Sequence, residues 1–337
     1  MSDFAIAVDL GGTNLRIAAI STDGRLLEKV TLSTKVDLSP DHVVGEMCDS
    51  IQQLSGQYSG GGALIGAGIG IPGIIDLEAG VVCKSANLPN WSGYPVREAI
   101  ERRLGTRICM DNNAKLAALG EQWLGAARGV DNMAMITLGT GIGGAIVLDG
   151  KIFHGMNGMA GEFGHITIEP DGVRCGCGNR GCAERYASAT GLVRMAREAI
   201  DSGEAPELAK AANCGEFSAK SIYDLAIQGD KGAQLIFQRF GRALGMMLAD
   251  IVNVLNLNIY VIGGGVVSAW DAFAPTMFEE LHERSVVYAA TVPEDLSGKK
   301  VGAAHNMDAS TRKKTIVARA ILGSDAGLYG GARLAAL

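Results

Sequence analysis

The chain has 337 residues, 47% of them hydrophobic and 20% charged, and 30 basic side chains against 36 acidic ones leave a net charge of −6. Such a composition fills a sizeable core in two domains or one large one, and its acidic balance excludes a nucleic-acid binder that works through a basic surface. Seven cysteines, an odd number, suit a reducing compartment better than a disulfide framework; with no apolar run approaching about eighteen residues and no leader-like N-terminus, a cytoplasmic protein with no membrane partner is expected.

The chain opens with an apolar run over residues 4–8 that meets Asp9-Leu-Gly11-Gly12-Thr13-Asn14. Further runs over 17–20 and 26–32 are split by Asp23-Gly24, which is hairpin chemistry, so the start reads as an antiparallel meander. The Gly11-Gly12 turn has a second possible use. Its backbone N–H groups and the Thr13 hydroxyl can cradle phosphate oxygens, and Asp9 can hold a magnesium ion that bridges them. It is neither a Walker loop nor a dinucleotide fingerprint, because no Lys-Ser/Thr follows and no helix opens there. An ordinary glycine turn is the other reading.

The same grammar returns at Ala134 to Val147, where an apolar run meets Leu138-Gly139-Thr140-Gly141-Ile-Gly143-Gly144 before a second apolar run. Two such units suggest duplicated halves facing one nucleotide. A helix expected over residues 233–253 leads into a strand ending in Gly263-Gly264-Gly265, a third turn that can pack flat beneath a purine. Together the three turns read as an ATP site; each alone is weak.

Between the second and third turns lies Gly161-Glu162-Phe163-Gly164-His165, then Cys175-Gly-Cys177 and Cys182-Ala-Glu184. One histidine and three cysteines so close form a recurrent tetrahedral zinc set. The intervening loop has few apolar side chains, so a metal would supply folding energy that a core cannot. Reduced buried thiols are the alternative. Residues 288–313 read as a polar insertion, a solvated loop or else a subunit contact or a lid near the adenine site, with His305 as a stray candidate ligand.

These motifs, with Gly68-Ile-Gly-Ile-Pro-Gly73, Asn87-Leu-Pro-Asn90-Trp91 and Gly323-Ser-Asp-Ala-Gly327, resemble the ROK family (repressors, open reading frames, kinases), and within it the bacterial glucokinases. The likeness covers residues 3 to 285 and again 315 to the end. It implies an actin/hexokinase-like (ribonuclease H-like) duplicated two-domain α/β fold. The small domain would take residues 1–115 and 318–337, and the large one 116–317 with the zinc knuckle 165–184. Sugar would lie in the cleft between them. It further implies an ATP- and magnesium-dependent kinase for a hexose 6-hydroxyl, glucose first, with N-acetylmannosamine and other hexoses open. A homodimer, with a tetramer as the alternative, and structural zinc on His165, Cys175, Cys177 and Cys182 belong to the same expectation. So do a ring clamp of Gly73, Asn87, Asn112, Glu162, His165 and Glu184, and phosphate contacts from Asp9, Gly11, Gly12, Thr13, Asn14, Gly139, Thr140, Gly141, Gly264 and Gly265. The repressor branch carries an N-terminal DNA-binding segment; this chain begins at the first turn, so that branch is disfavoured.

One position departs. The family's general base is the aspartate of (Glu/Asp)-Asn-Asp-Ala, but here Asp111-Asn112-Asn113-Ala114 puts Asn113 there. A carboxamide holds a hydroxyl but cannot take its proton at neutral pH, and general-base catalysis contributes roughly 10^2 to 10^4-fold. Three accounts stand open: a carboxylate replaced by design to trap substrate, Asp111 serving as substitute base from the same strand face, or a sugar-binding regulator that has lost kinase chemistry.

Overall fold

The computed structural model describes residues 2–213, 217–292 and 313–337. The chain begins as the expected meander: β1 (Phe4–Leu10), β2 (Asn14–Ser21) and β3 (Leu26–Ser33) pair antiparallel in sequence. After α1 (Pro40–Tyr58), β4 (Leu64–Ile71) pairs parallel with β1. A small hairpin of β5 (Ile74–Asp76) and β6 (Val81–Lys84) and α2 (Val96–Leu104) precede β7 (Cys109–Asn112), which runs parallel to β4. Helix α3 (Asn113–Trp123) starts at the very next residue. The first sheet is therefore ordered β3-β2-β1-β4-β7.

Strand alternation sorts side chains between two layers. Phe4, Ile6, Val8 and Leu10 of β1 join a large cluster with Val43, Val44 and Met47 of α1 and Ile100 of α2. The intervening Ala5 and Ala7 face the opposite side, as the period of two requires. Trp91 lies in the large cluster, wholly buried and edge-on to Tyr94 at 5.3 Å, so it is core.

The second sheet repeats this plan. Strands β8 (Met133–Leu138), β9 (Ile142–Leu148) and β10 (Lys151–Ile152) are followed by α4 (Ala189–Asp201), α5 (Pro206–Asn213), α6 (Ala219–Ile227) and α7 (Lys231–Leu255). Then come β11 (Ile259–Gly263), α8 (Trp270–Arg284), α9 (Val286–Thr291) and β12 (Ile316–Arg319), parallel to β11. The order β10-β9-β8-β11-β12 matches the first sheet position for position. The helix expected over 233–253 is the middle of α7, packed on α8. The expected polar insertion begins inside α9, where Tyr288 is buried; residues 293–312, with His305, lie outside the described residues.

The last helix, α10 (Ala326–Ala335), packs on α3, β1 and β4. Its small face makes this possible: a Cβ on Gly330 would collide with the Leu116 carbonyl. The layer between them is Ala5, Ala7, Ala18, Leu328 and Ala332. Glu121 of α3 is wholly buried, yet its carboxylate accepts N–H groups from Ala126 at 2.7 Å, Ile321 at 3.1 Å and Leu322 at 2.9 Å. Such a charge is tolerated only because it is hydrogen-bonded. It ties the C-terminal return to α3.

Contacts divide the chain into one unit of residues 1–135, 145–160 and 321–337 and another of 136–144 and 161–320. The boundary expected at 115 falls inside α3, which stays whole in the first unit because α10 covers it.

Candidate active site

In the first unit, the β1–β2 turn is closed by the Gly11 N–H donating to the Asn14 carbonyl at 2.8 Å. Asp9 and Arg16 face each other across this hairpin and form an ion pair of 3.0 Å. Burial pushes the Asp9 carboxyl above its usual range, and Arg16 opposes that shift. Thr13 and Asn14 are exposed at the tip. Gly12 lies against Asn87: a Cβ there would sit 3.1 Å from the Asn87 carbonyl.

The β7–α3 junction adjoins the same turn. Asn112 caps α3 by accepting the Ala114 N–H at 2.8 Å, and its amide donates to the Gly73 carbonyl at 2.9 Å. Gly73 has φ of 107°, a left-handed value that side chains rarely adopt. Asn113, the first residue of α3, donates through Nδ2 to the Leu10 carbonyl at 2.8 Å. Its Oδ1 is buried and without a hydrogen-bond partner. Asp9, Gly11, Gly12, Asn87, Gly73, Asn112 and Asn113 thus form one connected patch.

Asp111 does not present a carboxylate beside Asn113. The strand ends at Asn112, so the alternation that would align positions 111 and 113 stops at the helix. Asp111 is 2% exposed. Its Oδ1 accepts the Asn112 N–H at 2.7 Å, and its Oδ2 lies 2.7 Å from His154 Nε2. Both oxygens are turned to these partners, so the Asp111 carboxylate points to Asn112 N–H and His154 and not to Asn113.

The second unit holds the other candidates. The turn after β8 is closed by the Gly139 N–H donating to Gly141 O at 2.9 Å, and α4 docks on it through Ala189 N–H to Gly139 O at 2.9 Å and Thr190 Oγ1 to Thr140 O at 2.8 Å. Glu184 Oε2 accepts the Ile142 N–H at 2.9 Å, immediately beyond that turn. Gly264, at φ of 91°, packs on the Leu138 backbone, which brings the third turn against the second; Gly265 faces open space. A Cβ at residue 141 would meet the Glu184 carboxylate, so a larger residue there requires Glu184 to move. Gly141→Ala is expected to displace Glu184 and weaken both sugar and ATP binding by about tenfold or more, as calorimetric titration would read.

His165 and Cys175, Cys177 and Cys182 offer ligand atoms all within 4.8 Å of one another. Nδ1 of His165 is 3.7 Å from Cys175 Sγ, and Cys177 and Cys182 sulfurs are 3.7 Å apart. Tetrahedral bonds of about 2.3 Å to sulfur and 2.0 Å to nitrogen give edges close to these spacings. Burial, with the neighbouring thiols, pushes Cys182 up to about 12, while a backbone hydrogen bond from Asn179 lowers Cys177; a cation would hold Cys182 as a thiolate. The loop itself is pinned by backbone bonds, Cys175 N–H to Asn179 O at 2.8 Å and Gly181 N–H to Val173 O at 2.9 Å. With Nδ1 turned to the thiols, Nε2 of His165 is left 3.9 Å from Glu162 Oε2, the outward-facing arrangement common in ligating histidines.

A model of the ROK family matches residues 5–311. The chain belongs to the ROK family. It is 36% identical over 335 residues to a glucokinase of Halalkalibacterium halodurans, 98% of this chain and 94% of that one. It is 30% identical to an N-acetylmannosamine kinase of Yersinia pestis over 77% of this chain and 82% of that one. Among solved structures, a ROK family glucokinase from Streptomyces griseus in complex with glucose and AMPPNP superposes with a TM-score of 0.76 at 31% identity, covering 98% of each chain. The fold is the two-domain actin/hexokinase-like fold of ROK sugar kinases, and this ROK protein is an ATP-dependent sugar kinase.

Reading the sequence missed two partners in the ROK site, Arg16 on Asp9 and His154 on Asp111. The first was legible in principle, since Asp9 and Arg16 flank a short hairpin. The second joins residues 43 apart in the chain, and nothing local signals it. Among the described residues no helix is long and apolar enough to cross a membrane.

Proposed function

We propose that this ROK kinase transfers the γ-phosphoryl group of ATP to the 6-hydroxyl of a hexose, with glucose the preferred acceptor. The observation that carries this reading is the hydrogen bond from Ile142 N–H to Glu184 Oε2. It joins a candidate sugar carboxylate to the second phosphate turn in a chain alike over nearly its whole length to a glucokinase.

In this reading Asn87, Asn112, Glu162, His165 and Glu184 hold the ring, because amides, carboxylates and imidazole match hydroxyls that both donate and accept. Glycine turns 11–12 and 139–141 cradle the phosphates, and Gly264 and Gly265 lie under the purine. Asp9 is the carboxylate for magnesium, which supplies charge neutralisation on the phosphates; its Oδ2 already faces Arg16, which leaves Oδ1 to face a cation. Zinc on His165, Cys175, Cys177 and Cys182 would act structurally, setting the direction of the His165 ring. Asn113, whose Oδ1 is buried and unpartnered before sugar enters, turns that oxygen to hold the reacting hydroxyl. It does so without taking the proton, so turnover is slow. A cytoplasmic homodimer accords with the family reading, and the mass in solution checks the dimer.

Two further readings each have support. The Yersinia pestis relative favours an N-acetylated amino sugar as acceptor, and the amide at 113 favours a sugar-binding regulator without turnover. A hexose panel, scored first by thermal stabilisation and then by ADP release, separates them. Glucose should stabilise most and release ADP slowly. A larger response to N-acetylmannosamine moves the substrate, and stabilisation without any ADP supports the regulator.

A further inference from the structure

Two buried charges sit at the start of α3, Asp111 at 2% and Lys115 at 4% exposure. Buried charges persist where they are paired or hydrogen-bonded, and both are met by one short segment, residues 153–160. His154 Nε2 lies 2.7 Å from Asp111 Oδ2, and the Lys115 ammonium donates to the Gly158 carbonyl. The segment is compact in itself: Ala160 N–H donates to His154 O at 3.1 Å, and Phe153 N–H ties its start to Ile146 O of β9 at 2.8 Å.

From His154 the linkage continues toward the chemistry. Asp111 Oδ1 accepts the Asn112 N–H at 2.7 Å. Asn112 in turn caps α3 and bonds Gly73, and Asn113 follows it as the first helical residue. Both residues are amides. They orient a hydroxyl through directional hydrogen bonds alone, with no charge to compensate for a poor angle. Small displacements at such a site cost up to about 10^2-fold.

We propose that His154 is a positioning residue for the sugar: acting through Asp111, it holds the Asn112–Asn113 turn in the orientation that binds the acceptor hydroxyl. The assignment rests on reading Asn112 and Asn113 as sugar-side groups. It adds a residue outside that set and a segment, 153–160, whose ties to Asp111 of β7 and Lys115 of α3 serve substrate affinity.

The test measures glucose and ATP affinity by calorimetric titration, with melting temperature alongside, for the parent, His154→Ala, His154→Gln, Asp111→Asn and Asn112→Ala. His154→Ala should weaken glucose binding by about tenfold or more and leave ATP affinity within about twofold. His154→Gln keeps an N–H donor for Asp111 and should recover most of the loss. Glucose affinity unchanged in His154→Ala while Asn112→Ala abolishes it overturns the positioning role and spares the site. Glucose affinity unchanged in Asn112→Ala overturns the site reading itself. Equal losses for glucose and ATP, tracking the fall in melting temperature, mean a merely structural pair and also overturn the proposal. If His154→Ala does not fold, Asp111→Asn decides, since its amide keeps the shape but loses the charge facing His154: unchanged glucose affinity in that variant overturns the proposal, and a selective loss supports it.

Discussion

Asn113→Asp is expected to raise kcat for glucose phosphorylation by about 10^2 to 10^4-fold, the ordinary contribution of a general base, with glucose affinity changed by only a few-fold. The geometry supports a local effect. The Asn113 side chain already sits at the first position of α3, with Nδ2 bonded to the Leu10 carbonyl at 2.8 Å and Oδ1 buried and unpartnered. An aspartate of the same shape keeps the oxygen that the proposed function sets against the hydroxyl. Its second oxygen faces the Leu10 carbonyl, acceptor against acceptor, which disfavours the ionised form and moves the carboxyl toward neutral pH, where a base works best. The helix N-terminus offsets part of that penalty, typically 0.3 to about 1 kcal/mol. The measurement is ADP release at saturating glucose and ATP for the two proteins. Equal kcat would mean that position 113 does not meet the reacting hydroxyl.

Under the zinc assignment proposed above, loss of metal from the His165, Cys175, Cys177 and Cys182 set is the second large expected effect. A chelator, or Cys182→Ser, is expected to abolish glucose binding while ATP binding falls by much less. Structural zinc is worth about 10 kcal/mol or more of apparent binding energy in small knuckles, and beyond its backbone hydrogen bonds this loop has few core side chains to hold it, with Cys177 exposed. His165 is itself in the cluster, Glu184 follows Cys182 by two residues, and Glu162 lies 3.9 Å from the His165 ring. The groups proposed to hold the sugar are therefore expected to move if the cluster opens. The Gly139–Gly141 turn has its own support from α4 through Ala189 and Thr190. Metal analysis of the purified protein, with glucose and ATP titrations before and after chelation, provides the check. A protein that carries no zinc, or that binds glucose equally well after chelation, would refute the assignment.

Much of the architecture was legible because it is written in local patterns. The meander over residues 4–33 follows from alternation and an Asp-Gly turn, and the repeat of the glycine turn at 139–141 announced a second sheet of the same plan. The cysteine spacing pointed to one cluster, and the four ligand atoms do converge. The strand alignment expected between positions 111 and 113 does not hold for an equally local reason: β7 ends at Asn112 and α3 begins at Asn113.

By itself, then, the sequence determined the order of elements, the family, the grouping of His165 with the three cysteines and the amide at 113, since each depends on residue type and short spacing. Only the tertiary structure decided where the polar groups point. Asp111 turning to His154, Asp9 to Arg16, Asn113 to the Leu10 carbonyl and Glu184 to the second glycine turn are contacts between segments distant in the chain or across a hairpin. A buried polar side chain takes whatever partner folding brings within about 3 Å, and that partner is set by packing of whole elements, which no local pattern encodes.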